Sequence, residues 1–239
     1  MSDAAAMLRD ALPLRFDSFD AAARPTGLVI VDIVNGFATV GAGALAPPAP
    51  DQQVARMVRE TDALARAFIA AGRPVLAFLD SHVPGKPEPP YPPHCEIGSG
   101  EEQLVPELAW LEAEATATLV RKDCINGFVG AMDVNTGRNA VADWVNGFGL
   151  ESVLVVGICT DICVMDFVLT LLSARNHGLM PSLAEVAVFE PGCATYDLPR
   201  ALAVSLGLPE TAAHPKAVTH HAGLYFMASR GARLVDAVA

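Results

Sequence analysis

The run GLVIVD, residues 27–32, is a short apolar block closed by an acid. Its length and β-branched content read as a strand buried on both faces of a parallel sheet. A Gly/Pro-rich loop follows. Residues 51–71 then repeat apolar side chains at helical spacing (Val54, Met57, Val58, Leu64, Ala65, Phe68) and stop at Gly72. Strand, loop and helix make one βα unit, and the pattern recurs. PVLAFLD (74–80), TLVRK (118–122), SVLVVG (152–157) and EVAVFE (185–190) read as further strands, with helices at 139–147 and 161–176. Such alternation predicts an α/β fold, a three-layer α/β/α arrangement around a mainly parallel sheet with right-handed crossovers.

Composition agrees with this. Hydrophobic residues are 52% of the 239 and aromatics 6%, so the core is aliphatic, as in sheets covered on both faces. The length suits one domain, read as residues 1–239 with an N-terminal extension of about 1–25. A net charge of −11 without a basic cluster argues against nucleic acid as a partner. No apolar run nears the roughly 18 residues of a spanning helix, so no membrane partner is expected. Asp3, Arg9, Asp10 and Pro13 interrupt the start before a signal-peptide core accumulates. Five cysteines (Cys95, Cys124, Cys159, Cys163, Cys193) are an odd set. Together with the missing secretory signal, they lead us to expect reduced thiols and a cytoplasmic protein.

In open α/β sheets ligands bind beyond the carboxyl ends of the strands. Asp32, Asp80, Lys122 and the TDIC turn (160–163) all fall there. Alone, Asp32 reads as a strand-end acid and Lys122 as a solvated lysine. Converging on one cysteine, they would form a charge-coupled site. Cys163 follows Thr160-Asp161, which can cap a helix starting there, and the helix N-terminus would lower its thiol pKa. Cys159 reads as a buried, inert strand residue. A redox pair is disfavoured, since the spacing is Cys-x3-Cys rather than Cys-x-x-Cys.

Asp80 and His82 point to one side of an extended segment. His94 follows twelve residues later, behind Tyr91-Pro92-Pro93, whose restricted φ angles stiffen the chain. An Asp with two His suits one Zn²⁺, Fe²⁺ or Mn²⁺ ion, although lone histidines are more often structural. His177 and His214 read as surface residues. His220-His221 reads as a solvated or packed pair, because no acid or cysteine is near in sequence.

Five ordered stretches, VIVDIVNGF (29–37), LDSH (79–82), YPPHC (91–95), RKDCINGF (121–128) and GICTDICV (157–164), resemble the nicotinamidase branch of the isochorismatase-like cysteine hydrolases. THHAGLYF (219–226) resembles the plant-type members. The resemblance implies an Asp32, Lys122, Cys163 catalytic triad and a divalent metal, zinc foremost, on Asp80, His82 and His94. It also implies a cis peptide between Ile158 and Cys159, and an oxyanion hole from the N–H groups of Cys159 and Cys163. The implied reaction is hydrolysis of nicotinamide to nicotinate and ammonia through a thioester. Phe37 and Tyr91 would sandwich the pyridine ring. Gly36 stands where an acid often precedes this Phe, and Tyr91 where many relatives have Trp. Glu88 is a candidate further ligand, read first as an exposed loop acid. A homo-oligomer is expected for an alanine-rich chain of this family. Two other readings are an N-carbamoyl-type amidase, which shares the triad without needing the metal set, and a non-catalytic pyridine-binding relative.

Overall fold

The computed structural model describes residues 3–86 and 88–239. Seven strands form the sheet: β1 Asp17–Phe19, β2 Thr26–Val31, β3 Val75–Asp80, β4 Ala117–Lys122, β5 Ser152–Ile158, β6 Glu185–Ala194 and β7 Arg233–Val238. The helices are α1 Asp3–Ala11, α2 Asn35–Ala38, α3 Gln52–Ala70, α4 Gly127–Gly130, α5 Ala140–Gly147, α6 Met165–Asn176, α7 Arg200–Ser205 and α8 Lys216–Ala228. All strand pairs are parallel, in the order β1-β7-β6-β5-β2-β3-β4. No described helix is long and apolar enough to cross a membrane.

Alternation along the strands sorts the core into two layers. Leu28, Ile30, Leu79, Leu154 and Val156 pack with Val54, Met57 and Phe68 of α3. On the opposite face Val29, Val31, Phe78, Val153 and Val155 pack with Trp144 of α5, Phe167 and Leu171 of α6, and Leu224 and Met227 of α8. Each fully buried Leu, Ile or Phe here contributes about 1.5–3 kcal/mol. Helices α3 and α5 begin on side-chain caps that the sequence supplies. Asp51 accepts from the N–H groups of Gln53 and Val54, and Asn139 from those of Val141 and Ala142.

Five strands and three helices fall where the sequence patterns place them, and three features depart. First, β1 and β7 were not anticipated. β1 has only three residues, lies within the stretch read as an N-terminal extension, and pairs with β7 at the sheet edge. Second, β6 runs past Glu190 to Ala194, because its register against β5 shifts between Val155 and Gly157 and leaves room for Pro191. Third, the helix expected from Asp161 begins later. Thr160–Val164 is a π-helical turn, in which the Val164 N–H donates to the Cys159 carbonyl at 3.1 Å, and α6 follows. Thr160 and Asp161 do not cap it, because their side chains are bonded elsewhere, to His220 and Thr195.

The close approach of β5 to β2 depends on Gly157, paired with Val31 at φ +141°. A Cβ there would collide with the Val31 carbonyl oxygen and lie 2.8 Å from its N and Cβ. Gly157→Ala is expected to destabilise the protein by about 3 kcal/mol through overpacking against backbone, measured by chemical denaturation.

Candidate active site

Asp32, Asp80, Lys122 and Cys163 stand at the carboxyl ends of four adjacent strands, β2, β3, β4 and β5. Each is placed by a local device. Asp32 follows β2 in a left-handed conformation (φ +53°) that turns it out of the strand line. Asp80 and Lys122 are register partners across β3 and β4. Cys163 lies in the π-helical turn after β5, and the Ile158–Cys159 peptide that leads into that turn is cis.

The Lys122 ammonium is fully buried between two carboxylates, 2.8 Å from Asp32 Oδ2 and 2.9 Å from Asp80 Oδ1. Burial opposes its charge, but Asp32, Cys163 and Asp80 outweigh that and hold its pKa well above the usual lysine value. Burial lifts Asp32 to about 6 against the pull of Lys122, with Asp80 adding to the rise. Neither Asp32 oxygen accepts a well-directed hydrogen bond. A buried carboxylate poised near neutrality with free acceptor capacity suits a proton shuttle. Burial also holds the Cys163 thiol well above its ordinary pKa, only partly countered by Lys122. This corrects the expectation of a thiol lowered by a helix N-terminus: here burial is the largest influence.

Asp80, His82 and His94 are buried together, each offering a ligand atom within 4.8 Å of the others. His82 is held by a bridge to Glu96: its N–H donates to the Cys95 carbonyl at 3.0 Å, and its carbonyl accepts from Ile97 at 2.9 Å. This draws the Pro-rich loop back so that the two imidazoles lie 4.5 Å apart. His94 Nδ1 faces the Pro92 carbonyl at 2.8 Å, which assigns the proton to Nδ1 in the neutral ring and leaves Nε2 as an acceptor, 3.3 Å from Asp80 Oδ2. His82 Nε2 lies 3.0 Å from the same oxygen, yet neither atom has a satisfactory hydrogen bond. Buried acceptors facing one another fit a cation between them. The same field works on His94. Burial resists its charge, but Asp80, Glu88 and Pro92 raise its pKa to about 10.

Glu88 is not the exposed loop acid first expected. Its Oε1 accepts from the Ile125 N–H at 2.8 Å, which folds Oε2 inward to 3.5 and 3.6 Å from Nε2 of His82 and His94. His214, read as a surface residue, is also buried, against Tyr196 at 4.3 Å and beside Asp161 at 4.0 Å. His177 is exposed. The His220-His221 pair is packed, and its acid neighbour, Glu190, is remote in sequence.

One small pocket joins the two groups of residues. Phe37, Tyr91, Cys159 and Cys163 line it, as do Asp80 and His94. Leu45, Ile125, Ile162 and Tyr196 complete the wall and were not foreseen. Ile125 lies inside the RKDCINGF stretch, so its neighbours carried the signal. Tyr196 lies beyond the irregular end of β6, where no periodicity marks it. All five cysteines are free thiols in this structure.

Residues 26–237 match the model of the isochorismatase domain. The chain is 54% identical over 212 residues to nicotinamidase 1 of Arabidopsis thaliana, covering 89% of this chain and 86% of that one. Among solved structures, the nicotinamidase of Bacillus subtilis superposes with a TM-score of 0.65 at 21% identity, over 88% of this chain and 99% of its own. The zinc complex of the pyrazinamidase of Pyrococcus horikoshii gives 0.61 at 21% identity, over 89% and 99%. With its parallel sheet and a domain match spanning nearly its whole length, the chain belongs to the isochorismatase family.

Proposed function

We propose that this protein is a nicotinamidase, an amidohydrolase that converts nicotinamide to nicotinate and ammonia. The observation that carries the reading is one small pocket bounded on one side by Cys163, beside Asp32 and Lys122, and on the other by Asp80 and His94 of the candidate metal group. The 54% identity to the Arabidopsis enzyme supports the same activity. An N-carbamoyl-type amidase would have no need of the buried Asp80, His82, His94 set.

Phe37 and Tyr91 flank the pyridine ring in this reading. Asp80, His82 and His94 would hold a divalent ion, with zinc favoured by the imidazole-rich donor set and iron or manganese as alternatives. When bound, that ion supplies Lewis acidity toward the ring nitrogen, a positioning role. Asp32 takes the Cys163 proton as the sulfur attacks the amide carbon, so no standing thiolate is required in a site that disfavours one. The carbonyl electron pair moves to oxygen, held by the N–H groups of Cys159 and Cys163. The intermediate collapses, Asp32 returns the proton to nitrogen, and ammonia leaves a thioester. Asp32 next takes a proton from water while the hydroxide attacks the thioester. Collapse expels the sulfur, which recovers the proton from Asp32 as nicotinate departs. Lys122 holds Asp32 and Asp80 in register throughout.

Cys163→Ala is expected to lower ammonia release from nicotinamide by at least about 10³-fold, whereas Cys159→Ser, contributing a backbone N–H, retains most of it. Because Asp32 must be ionised to accept the proton and its pKa lies at about 6, kcat/KM should fall about tenfold per pH unit below that value and level off above it. His94→Ala is expected to lose both bound metal, read by elemental analysis, and turnover. Full metal content in that variant would remove the proposed ligand set.

A further inference from the structure

The THHAGLYF stretch lies on α8 and takes no part in the chemistry above, yet it touches the turn that carries the nucleophile. His220 Nδ1 lies 2.9 Å from Thr160 Oγ1. Its Nε2 lies 3.3 Å from Glu190 Oε1, and that same oxygen accepts from Arg56 at 2.8 Å. The imidazole of His220 on α8 therefore joins the π-helical turn to the irregular end of β6, and α3 is added through Arg56 on Glu190.

The hydrogen-bond directions follow from chemistry. Although burial opposes its charge, His220 and Arg56 keep the Glu190 carboxyl below its usual range, so it is an acceptor. Nε2 therefore carries the proton toward it. In the neutral ring, Nδ1 is left to accept from the Thr160 hydroxyl. A hydroxyl, imidazole and carboxylate in series have the composition of a nucleophilic triad, but Thr160 is fully buried and does not line the pocket that Cys163 faces. The arrangement suits holding rather than attack.

What it holds is the entrance to the turn. Thr160 directly follows Cys159, and Cys159 follows the cis peptide. Close packing reinforces the contact, since a Cβ at Gly223, one turn along α8, would lie 2.9 Å from Asp161 Cα and the Thr160 carbonyl. The β6 irregularity, between Val188 and Cys193, contains both Glu190 and Pro191.

We propose that His220, oriented by Glu190 and Arg56, is a positioning residue that fixes Thr160 and hence the backbone aim of Cys159 and Cys163. The inference rests on the reading of Cys163 as nucleophile. Thr160→Val and His220→Ala should each lower kcat for nicotinamide about tenfold with KM within twofold of wild type, and the double variant should be no worse than the poorer single one. His220→Asn, whose amide reaches the Nδ1 position, should recover most of the loss. His220→Gln, which reaches only toward Glu190, should not. Alkylation of Cys163 by iodoacetamide, followed by mass spectrometry, provides a second readout independent of the substrate, and its rate should change in the same variants. Strictly additive kcat losses would overturn the proposal, as would equal behaviour of the Asn and Gln variants or unchanged kcat and alkylation in Thr160→Val. If His220→Ala fails to fold, the conservative Thr160→Val decides the matter. Failure of wild type to release ammonia from nicotinamide would instead sink the substrate assignment, and the alkylation series would still test the positioning role.

Discussion

The buried ammonium of Lys122 is the interaction on which the site depends. It sits between Asp32 and Asp80 at 2.8 and 2.9 Å with no exposed surface. An isolated charge in such a place would be prohibitive, and two carboxylates with one ammonium still leave one negative charge in excess. That excess lies on the Asp80 side, where Oδ2 faces two imidazole nitrogens and lacks a satisfactory hydrogen bond. A proton on His94, whose pKa the site raises to about 10, answers that excess, and the same three side chains could hold a divalent ion there. Lys122 thus couples the carboxylate beside Cys163 to the carboxylate of the candidate metal group, and neither half of the pocket is electrostatically independent of the other.

Burial also sets how the cysteine can work. A thiol held well above its ordinary pKa beside a carboxylate lifted to about 6 rests, above that pH, as a neutral thiol next to an ionised acid. In the proposed mechanism, proton transfer to Asp32 therefore accompanies attack. This differs from helix-terminus thiols, whose thiolate exists in the free protein. The π-helical turn is consistent with that difference: Cys163 belongs to an irregular segment ahead of α6 rather than to a capped first turn.

The sheet order supplies the geometry. β5, β2, β3 and β4 are consecutive neighbours, so residues separated by up to 131 positions, from Asp32 to Cys163, project from one edge of the sheet. Outside that edge, the irregular stretches matter most. The Pro-rich loop folds back through the His82–Glu96 bridge to bring His94 and Glu88 to Asp80. The break in β6 register contains Glu190, whose side chain meets His220.

Five apolar blocks, three of them ended by Asp32, Asp80 and Lys122, determined five strands, their parallel character and the edge on which chemistry collects, because both-face burial demands continuous apolar runs. The Asp80, His82, His94 and Cys163 stretches were legible for a similar reason, since rare residue types stood at strand ends or beside stiffening prolines. Other features belong to tertiary structure alone. β1 and β7 are too short or too close to the edge to carry a pattern of their own. Glu88 reads as a loop acid until the Ile125 N–H turns it inward. His214 and the Thr160, His220, Glu190, Arg56 chain acquire their partners from elements remote in sequence. Whether Cys163 rests as thiol or thiolate was also undecidable from spacing. A helix-start pattern states where a dipole can act, while burial and neighbouring charges, which only the folded chain assembles, decide which influence is larger.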